Sequence, residues 1–348
     1  MKFFRWRSFW LSIHNYAQEP QGVGDQILSI LNVEVHSTKT NAKRKRIEMQ
    51  RRLSWLAILS LLLAVCGAAK VAHAGSDTLE KIKSSKRISI GYREASVPFS
   101  YLGDQQRPVG FSVDLCVAIS ERIKAVLKLD TLDVAYTAVN ASNRIPLLQN
   151  GTIDIECGST TNTVERQKQV GFSFTTFVSQ PRFMVTSASG IVDPRDLRGK
   201  TVVITQGSGA LAIAQKHPSE DLAGLTVTNA KDHAESLFTL RTGRAAGWLE
   251  EDVVLAGTRA LASDAGDFVI LPKAYATFND ALMIRKDDAD FKSIVDETIA
   301  AMMKSGEFAR LYDKWFNSPI QPAGHVLNLP ISAALKSVID APNDRPTP

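Results

Sequence analysis

Three arginines stand at predicted β-to-α turns of one α/β unit: Arg93 in Gly-Tyr-Arg-Glu-Ala-Ser, Arg144 in Asn-Arg-Ile-Pro and Arg166 in Val-Glu-Arg-Gln. A guanidinium grips a carboxylate through two parallel hydrogen bonds, and open α/β sheets bind ligands at such turns. Singly, each arginine reads as a solvated surface residue. Together with the hydroxyl-rich turn Gly158-Ser159-Thr160-Thr161 they describe a cationic cup for an anionic group. A second anion site is suggested by Gly207-Ser208-Gly209-Ala210-Leu211-Ala212, a Gly-x-Gly-x-x-Ala run between a strand and a helix, with Asp232 twenty residues beyond it. That pattern is also a dinucleotide fingerprint. The same free N–H groups and helix dipole hold a carboxylate equally well, so a carboxylate site and no cofactor is the expectation for an exported chain.

Catalytic constellations are mostly missing. The sequence has no Gly-x-Ser-x-Gly elbow, no His-Glu-x-x-His and no Gly-x-x-x-x-Gly-Lys phosphate loop. His14, His36 and His73 precede the mature chain, and His217, His233 and His325 show no ligand spacing, so neither a metal site nor a catalytic residue is expected. Were there a general acid or base, His233 and Glu251 are the candidates.

The elements that must position these residues alternate. Ile88 to Ile90 reads as a strand, and the recurrence of Cys116, Ile119, Ile123, Val126 and Leu127 as a helix with one apolar face. Strand Leu132–Tyr136, helix Asn143–Gln149 and strand Ile153–Glu156 complete a β-α-β-α-β unit with a parallel sheet. A second unit follows: strand Thr201–Ile204, helix Ala210–His217, strand Leu225–Val227, helix Ala234–Arg241, strand Ala246–Leu249, helix Val253–Ala262 and strand Phe268–Leu271. Ala281–Ile284 then leads into helical stretches Ala289–Lys304 and Glu307–Phe316, which have no unit of their own and should return to the first. Crossings near Phe183–Thr186 and Phe278–Leu282 would make a hinged clamshell.

Leu53 to Cys66 is apolar or small, sits behind Arg51-Arg52 and ends in Ala72-His73-Ala74, the form of a signal peptide cleaved before Gly75. It falls short of the roughly 20 residues that a membrane span needs. Lipid modification of Cys66 is disfavoured by the bulky Val65 before it. Residues 1–48 do not fit this leader, so they read as a non-native extension with translation starting at Met49. The chain holds 41 Lys+Arg against 36 Asp+Glu, but residues 1–74 carry 11 and 4 of these, leaving 30 against 32. The basicity belongs to the leader, and no nucleic-acid partner is implied. Cys116 and Cys157 remain after processing; an even pair in an exported chain suggests a disulfide, two isolated core thiols being the alternative.

Glu-Cys-Gly-Ser-Thr-Thr-Asn (156–162), Val-Glu-Arg-Gln-Lys (164–168), Asn-Arg-Ile-Pro-Leu-Leu-Gln-Asn-Gly (143–151), Lys-Asp-His (231–233) and Asp-Lys-Trp-Phe (313–316) carry a resemblance. Over about residues 79–345 the chain resembles the family 3 periplasmic solute-binding proteins of ABC transporters, and within them the glutamate/aspartate-binding branch. The resemblance implies an α/β fold of two Rossmann-like lobes joined by a two-strand hinge, the type II periplasmic-binding-protein clamshell. With residues 1–48 the expected extension and 49–74 the expected signal peptide, the lobes would be 75–183 plus 282–348 for lobe 1 and 184–281 for lobe 2. It implies that Arg166 pairs with the ligand α-carboxylate and that Ser159 and Thr161 accept from its α-ammonium. Arg93, Arg144 and His233 would face the side-chain carboxylate, and Gly207, Ser208 and Gly209 would offer backbone N–H groups. Glu251 stands where the branch has an aspartate for the α-ammonium, with Asp252 beside it, and Ala141 replaces a serine near the distal carboxylate.

The function so implied is a monomeric periplasmic receptor that closes on L-glutamate or L-aspartate and delivers it to inner-membrane permease subunits, without chemistry. The alternative is an exported enzyme of the same fold, such as a dehydratase acting on a carboxylated ring. A sensory module is a weaker third.

Overall fold

Short apolar runs separated by amphipathic stretches leave each strand needing cover on both faces, which helices supply. The computed structural model describes residues 78–216 and 222–347, all within one unit, Ala74–Pro348. The expected extension and leader lie outside the described residues, as does His217. The strands in chain order are β1 (Arg87–Tyr92), β2 (Ala95–Ser96), β3 (Ser100–Leu102), β4 (Pro108–Val109), β5 (Asp133–Ala138), β6 (Ile155–Cys157) and β7 (Gly171–Ser179). They continue as β8 (Pro181–Thr186), β9 (Thr201–Thr205), β10 (Thr226–Ala230), β11 (Gly247–Glu251), β12 (Phe268–Ile270) and β13 (Phe278–Ile284). The helices are α1 (Thr78–Ser85), α2 (Phe111–Val126), α3 (Arg144–Gln149), α4 (Val164–Gln167), α5 (Gly209–Lys216), α6 (His233–Arg241), α7 (Asp252–Leu261), α8 (Ala289–Ser305), α9 (Glu307–Tyr312) and α10 (Ala333–Asp340).

Two five-stranded sheets result, in orders β5-β1-β6-β13-β7 and β10-β9-β11-β8-β12, with β2-β3-β4 as a small third sheet. The parallel cores are as expected, β1 pairing with β5 and β6, and β9 with β10 and β11. The sheets are nevertheless mixed rather than parallel. In each, the strand that arrives from the other sheet runs antiparallel: β8 against β11 and β12, and β13 against β6 and β7. A strand entering directly from the neighbouring sheet has no crossover helix to reverse its direction. The chain passes between sheets at Gln180, and again between Ile270 and Phe278.

The C-terminal helices do return to the first sheet, α8 packing on α2 and β7. Helix Glu307–Phe316 is not continuous: after Tyr312 the backbone widens into a π-turn over Asp313–Asn317 that buries Trp315 and Phe316. Phe316 stacks on Tyr312 and Phe177, and Phe99 and Phe111 meet it edge-on. Each such ring contributes about 1.5–3 kcal/mol by burial. This aromatic cluster is part of a continuous core that also includes Met184, Trp248 and Val254 of the second lobe.

Cys116 on α2 is disulfide-bonded to Cys157 at the end of β6, both fully buried. The bridge ties the helix to the strand that leads directly into the Gly158–Thr161 turn. Closing a 41-residue separation constrains the unfolded chain by on the order of 4 kcal/mol on the chain-entropy model. Alkylation of denatured, non-reduced protein should leave the Cys116 and Cys157 peptides unlabelled. Reduction should lower the melting temperature, and free thiols at both positions would contradict the bridge.

Candidate functional site

The turn that follows β6 is where the first lobe gathers its polar atoms. Ser159, Thr160 and Thr161 are all buried there, although a turn ordinarily sits in solvent. Arg144, at the start of α3, reaches this turn: its Nη1 donates to Ser159 O at 3.1 Å and to Thr160 Oγ1, and lies 3.6 Å from Glu156 Oε1. Thr160 Oγ1 in turn donates to Glu156 Oε2 at 2.6 Å. Arg93, at the end of β1, is buried with its Nη2 lacking any hydrogen-bond partner among the described residues; Arg144 Nε and Glu156 Oε1 are orphaned likewise. Burial, reinforced by the like charge of Arg144, pulls the Arg93 pKa down to about 10.

Arg166, on the short helix α4, bridges the lobes. Its Nη1 donates to Thr161 O at 2.7 Å and its Nη2 to Gly207 O of the second lobe at 2.8 Å. Burial, then the charge of Arg144, lowers its pKa to about 10. The glycine loop answers a steric demand at the same place. Gly207 has φ +79°, and a Cβ there would sit 2.7 Å from Ala141 O; one on Gly209 would sit 2.6 Å from Thr161 Oγ1. Ser208 Oγ accepts from Leu211 N, capping α5, while its own N–H is spent on Thr205 O. The dinucleotide-like pattern thus arises from close approach of the lobes, and Asp232 is occupied as the N-cap of α6, accepting from Glu235 N.

From the second lobe, β11 delivers two neighbouring acids. Glu251 accepts from Thr161 Oγ1 at 3.2 Å, and its other oxygen is orphaned. Burial, with the charges of Asp280 and Glu250, raises its pKa well above the ordinary carboxylate range. Asp252, the next residue, turns away from the cleft: it accepts from Gln180 N, pairs with Arg182 at 3.5 Å and donates its own N–H to Gln180 O. Asp252 therefore fixes the crossing between lobes rather than the cleft. His233, first residue of α6, has Nδ1 3.1 Å from Ser96 Oγ and Nε2 3.5 Å from Glu250 Oε2. Burial lowers its pKa, leaving the ring neutral near pH 7.

Residues 88–318 match the family described as bacterial extracellular solute-binding proteins, family 3. The chain belongs to this family. A glutamate/aspartate import solute-binding protein of Salmonella typhimurium is 40% identical over 299 residues, 86% of this chain and 99% of that one. An L-glutamate/L-aspartate-binding protein of Pseudomonas aeruginosa is 42% identical over 289 residues, covering 82% and 95%. Among solved structures, a Streptococcus pneumoniae ABC uptake transporter substrate-binding protein with bound histidine superposes with TM-score 0.62 at 24% identity, covering 70% of this chain and 98% of that one. The fold is accordingly the type II periplasmic-binding-protein fold, two α/β lobes with the polar cleft between them.

This solute-binding protein holds cleft acids that the sequence reading missed: Glu156, Glu250 and Asp280. Each is a carboxylate within a mainly apolar strand, and a charged residue there requires a partner, so the signal was present. Among the described residues no group of three or more His, Cys, Asp or Glu side chains could hold a metal. Asp280, on β13, accepts from Ser179 Oγ at 2.7 Å while its Oδ1 is orphaned, and burial raises its pKa to about 7. A folded-state pKa above the unfolded one gives stability that is present at acid pH and is lost as pH rises through the folded value, here from about pH 4 to about pH 7. Asp280→Asn should therefore melt higher than wild type at about pH 8 in the absence of ligand, with the difference closing by about pH 4. Equal melting at both pH values would show that the carboxylate carries no such penalty.

Proposed function

We propose that this chain is the extracytoplasmic receptor of an amino-acid ABC importer, and that it closes on L-glutamate or L-aspartate. One observation carries the reading. Buried guanidinium nitrogens of Arg93 and Arg144 and buried carboxylate oxygens of Glu156, Glu250, Glu251 and Asp280 are all without a hydrogen-bond partner among the described residues. Buried polar atoms are rarely left unpaired, and a zwitterion with a further acidic group supplies the missing partners of both signs. The names of the Salmonella and Pseudomonas relatives agree with that chemistry over nearly their whole lengths.

In this reading Arg166 holds the α-carboxylate, Ser159, Thr161 and Glu251 receive the α-ammonium, and Arg93, Arg144 and His233 face the side-chain carboxylate. Gly207, Ser208 and Gly209 close the cleft from the second lobe, where the Gly207 carbonyl already meets Arg166. Lobe 1 comprises residues 75–183 plus 282–348 and lobe 2 residues 184–281, a two-lobe division supported by the passage of the chain between the sheets at Gln180 and between Ile270 and Phe278. The protein is a monomeric periplasmic receptor that hands its ligand to inner-membrane permease subunits, exported by the 49–74 leader.

Calorimetry of ligand-free, refolded protein against the standard amino acids tests the assignment. Glutamate and aspartate should bind, and glutamine or a basic amino acid binding as tightly as glutamate would end the acidic-ligand reading. Arg166→Ala leaves a buried carboxylate unpaired and should weaken every ligand by about a hundredfold or more. Binding within about tenfold of wild type would refute the role of Arg166. Arg93→Gln should weaken glutamate by about tenfold or more while changing glutamine much less, since only the distal carboxylate uses that guanidinium. Equal losses for the two ligands would place Arg93 elsewhere in the site.

A further inference from the structure

The distal half of the cleft is already charge-balanced before any ligand enters it. Arg144 has Glu156 beside it at 3.6 Å. Arg93 lies in the fields of both Glu156 and Glu250, and all four side chains are buried. Glu250 is the unexpected member. It precedes Glu251 on β11, where every residue from Gly247 to Glu251 is buried, so the alternation of a strand sends neighbouring carboxylates in opposite directions without exposing either. Glu251 meets Thr161, whereas Glu250 Oε1 accepts from Glu251 N at 3.2 Å and Oε2 faces His233 Nε2 at 3.5 Å.

The groups around this pair come from every neighbouring element. His233 faces Ser96 from β2, Glu250 from β11, Arg93 immediately after β1 and Asp232 preceding it; Glu250 also has Thr205 of β9 near it. Burial, the largest single influence, opposes ionisation of Glu250, but the contacts from His233, the Glu251 N–H and Thr205 together hold the carboxyl below its ordinary value. The ligand-free state is thus an ionised Glu250 beside a neutral imidazole, with Nε2–H toward the carboxylate and Nδ1 accepting from the Ser96 hydroxyl. A neutral ligand side chain leaves the balance of two guanidiniums against two carboxylates untouched. A ligand carboxylate adds a fifth, uncompensated charge in a closed, poorly solvated space.

We propose that Glu250 is a specificity-determining residue that sets the preference between acidic and amide side chains: its negative charge beside Arg93 and His233 makes entry of a second ligand carboxylate conditional on uptake of one proton by the His233–Glu250 pair. The proton comes from solvent, adds to His233 Nδ1, and is accommodated by rotation of the Ser96 hydroxyl from donor to acceptor. No proton accompanies an amide ligand. The proposal rests on the acidic-ligand reading above and concerns the half of the cleft that reads the side chain.

Titration calorimetry of the full chain with glutamate, in buffers of different ionisation heat, counts the protons. Glu250→Gln keeps the volume and removes the charge. It should take up about one proton fewer than wild type per glutamate bound, and bind glutamate about tenfold or more tightly at about pH 8, where protons are scarce. A merely structural role would weaken binding and leave the proton count unchanged, and that result overturns the proposal. Should Glu250→Gln not fold, wild type decides: glutamate should take up about one proton more than glutamine, because Glu251 and Asp280 meet the same ammonium in both ligands. Equal counts would overturn it. If wild type binds neither glutamate nor aspartate, the ligand assignment itself falls and the proposal with it; if it binds them with no proton difference, only the role of Glu250 falls.

Discussion

Burying ionisable groups of both signs between two sheets is the constraint on which the rest of this protein turns. Arg93, Arg144, Glu156, Glu250, Glu251 and Asp280 are all withdrawn from water, with Arg166 at the mouth of the same cleft. An isolated ion in such a place costs several kcal/mol. The protein offsets part of that cost internally, through Arg144 with Glu156 and His233 with Glu250. It leaves part unsatisfied, in the unpartnered atoms of Arg93, Arg144, Glu251 and Asp280.

The scaffold follows from holding those groups in place. Each arginine stands at the end of a strand or the start of a helix, where backbone is anchored on one side and side chain free on the other. The Cys116–Cys157 bridge fixes the strand that feeds the Gly158–Thr161 turn. Asp252 fixes the crossing at Gln180 through two backbone hydrogen bonds and Arg182. The two lobes touch through Arg166 and Gly207, Ser142 and Gln206, and Thr161 and Glu251, so their separation breaks hydrogen bonds. Closure is then a population shift driven by contacts that exist only when both lobes are present.

Much of this was readable in the residues. The alternation of strands and helices, the return of the C-terminal helices to the first lobe and the grouping of three arginines at β-to-α turns all follow from periodicity and residue type. The mixed character of the sheets was not, because strand direction depends on where a strand comes from in space, which no local pattern records. The break after Tyr312 likewise reflects the packing of Phe316 on Phe177 and Phe99, partners more than a hundred residues away.

The sequence by itself determined the inventory of the site: guanidiniums, hydroxyls and a glycine loop suited to a carboxylate, and motifs shared with solute-binding proteins. Only the tertiary structure decided how their charges are apportioned. Glu156 and Glu250 looked like ordinary acids in apolar strands until the fold set one beside Arg144 and the other beside His233, and Asp252 proved to face the crossing while Glu251 faces the cleft. Electrostatic energy in a buried site varies with distances of a few ångströms between groups far apart in the chain, and those distances come into being only when the two lobes fold and meet.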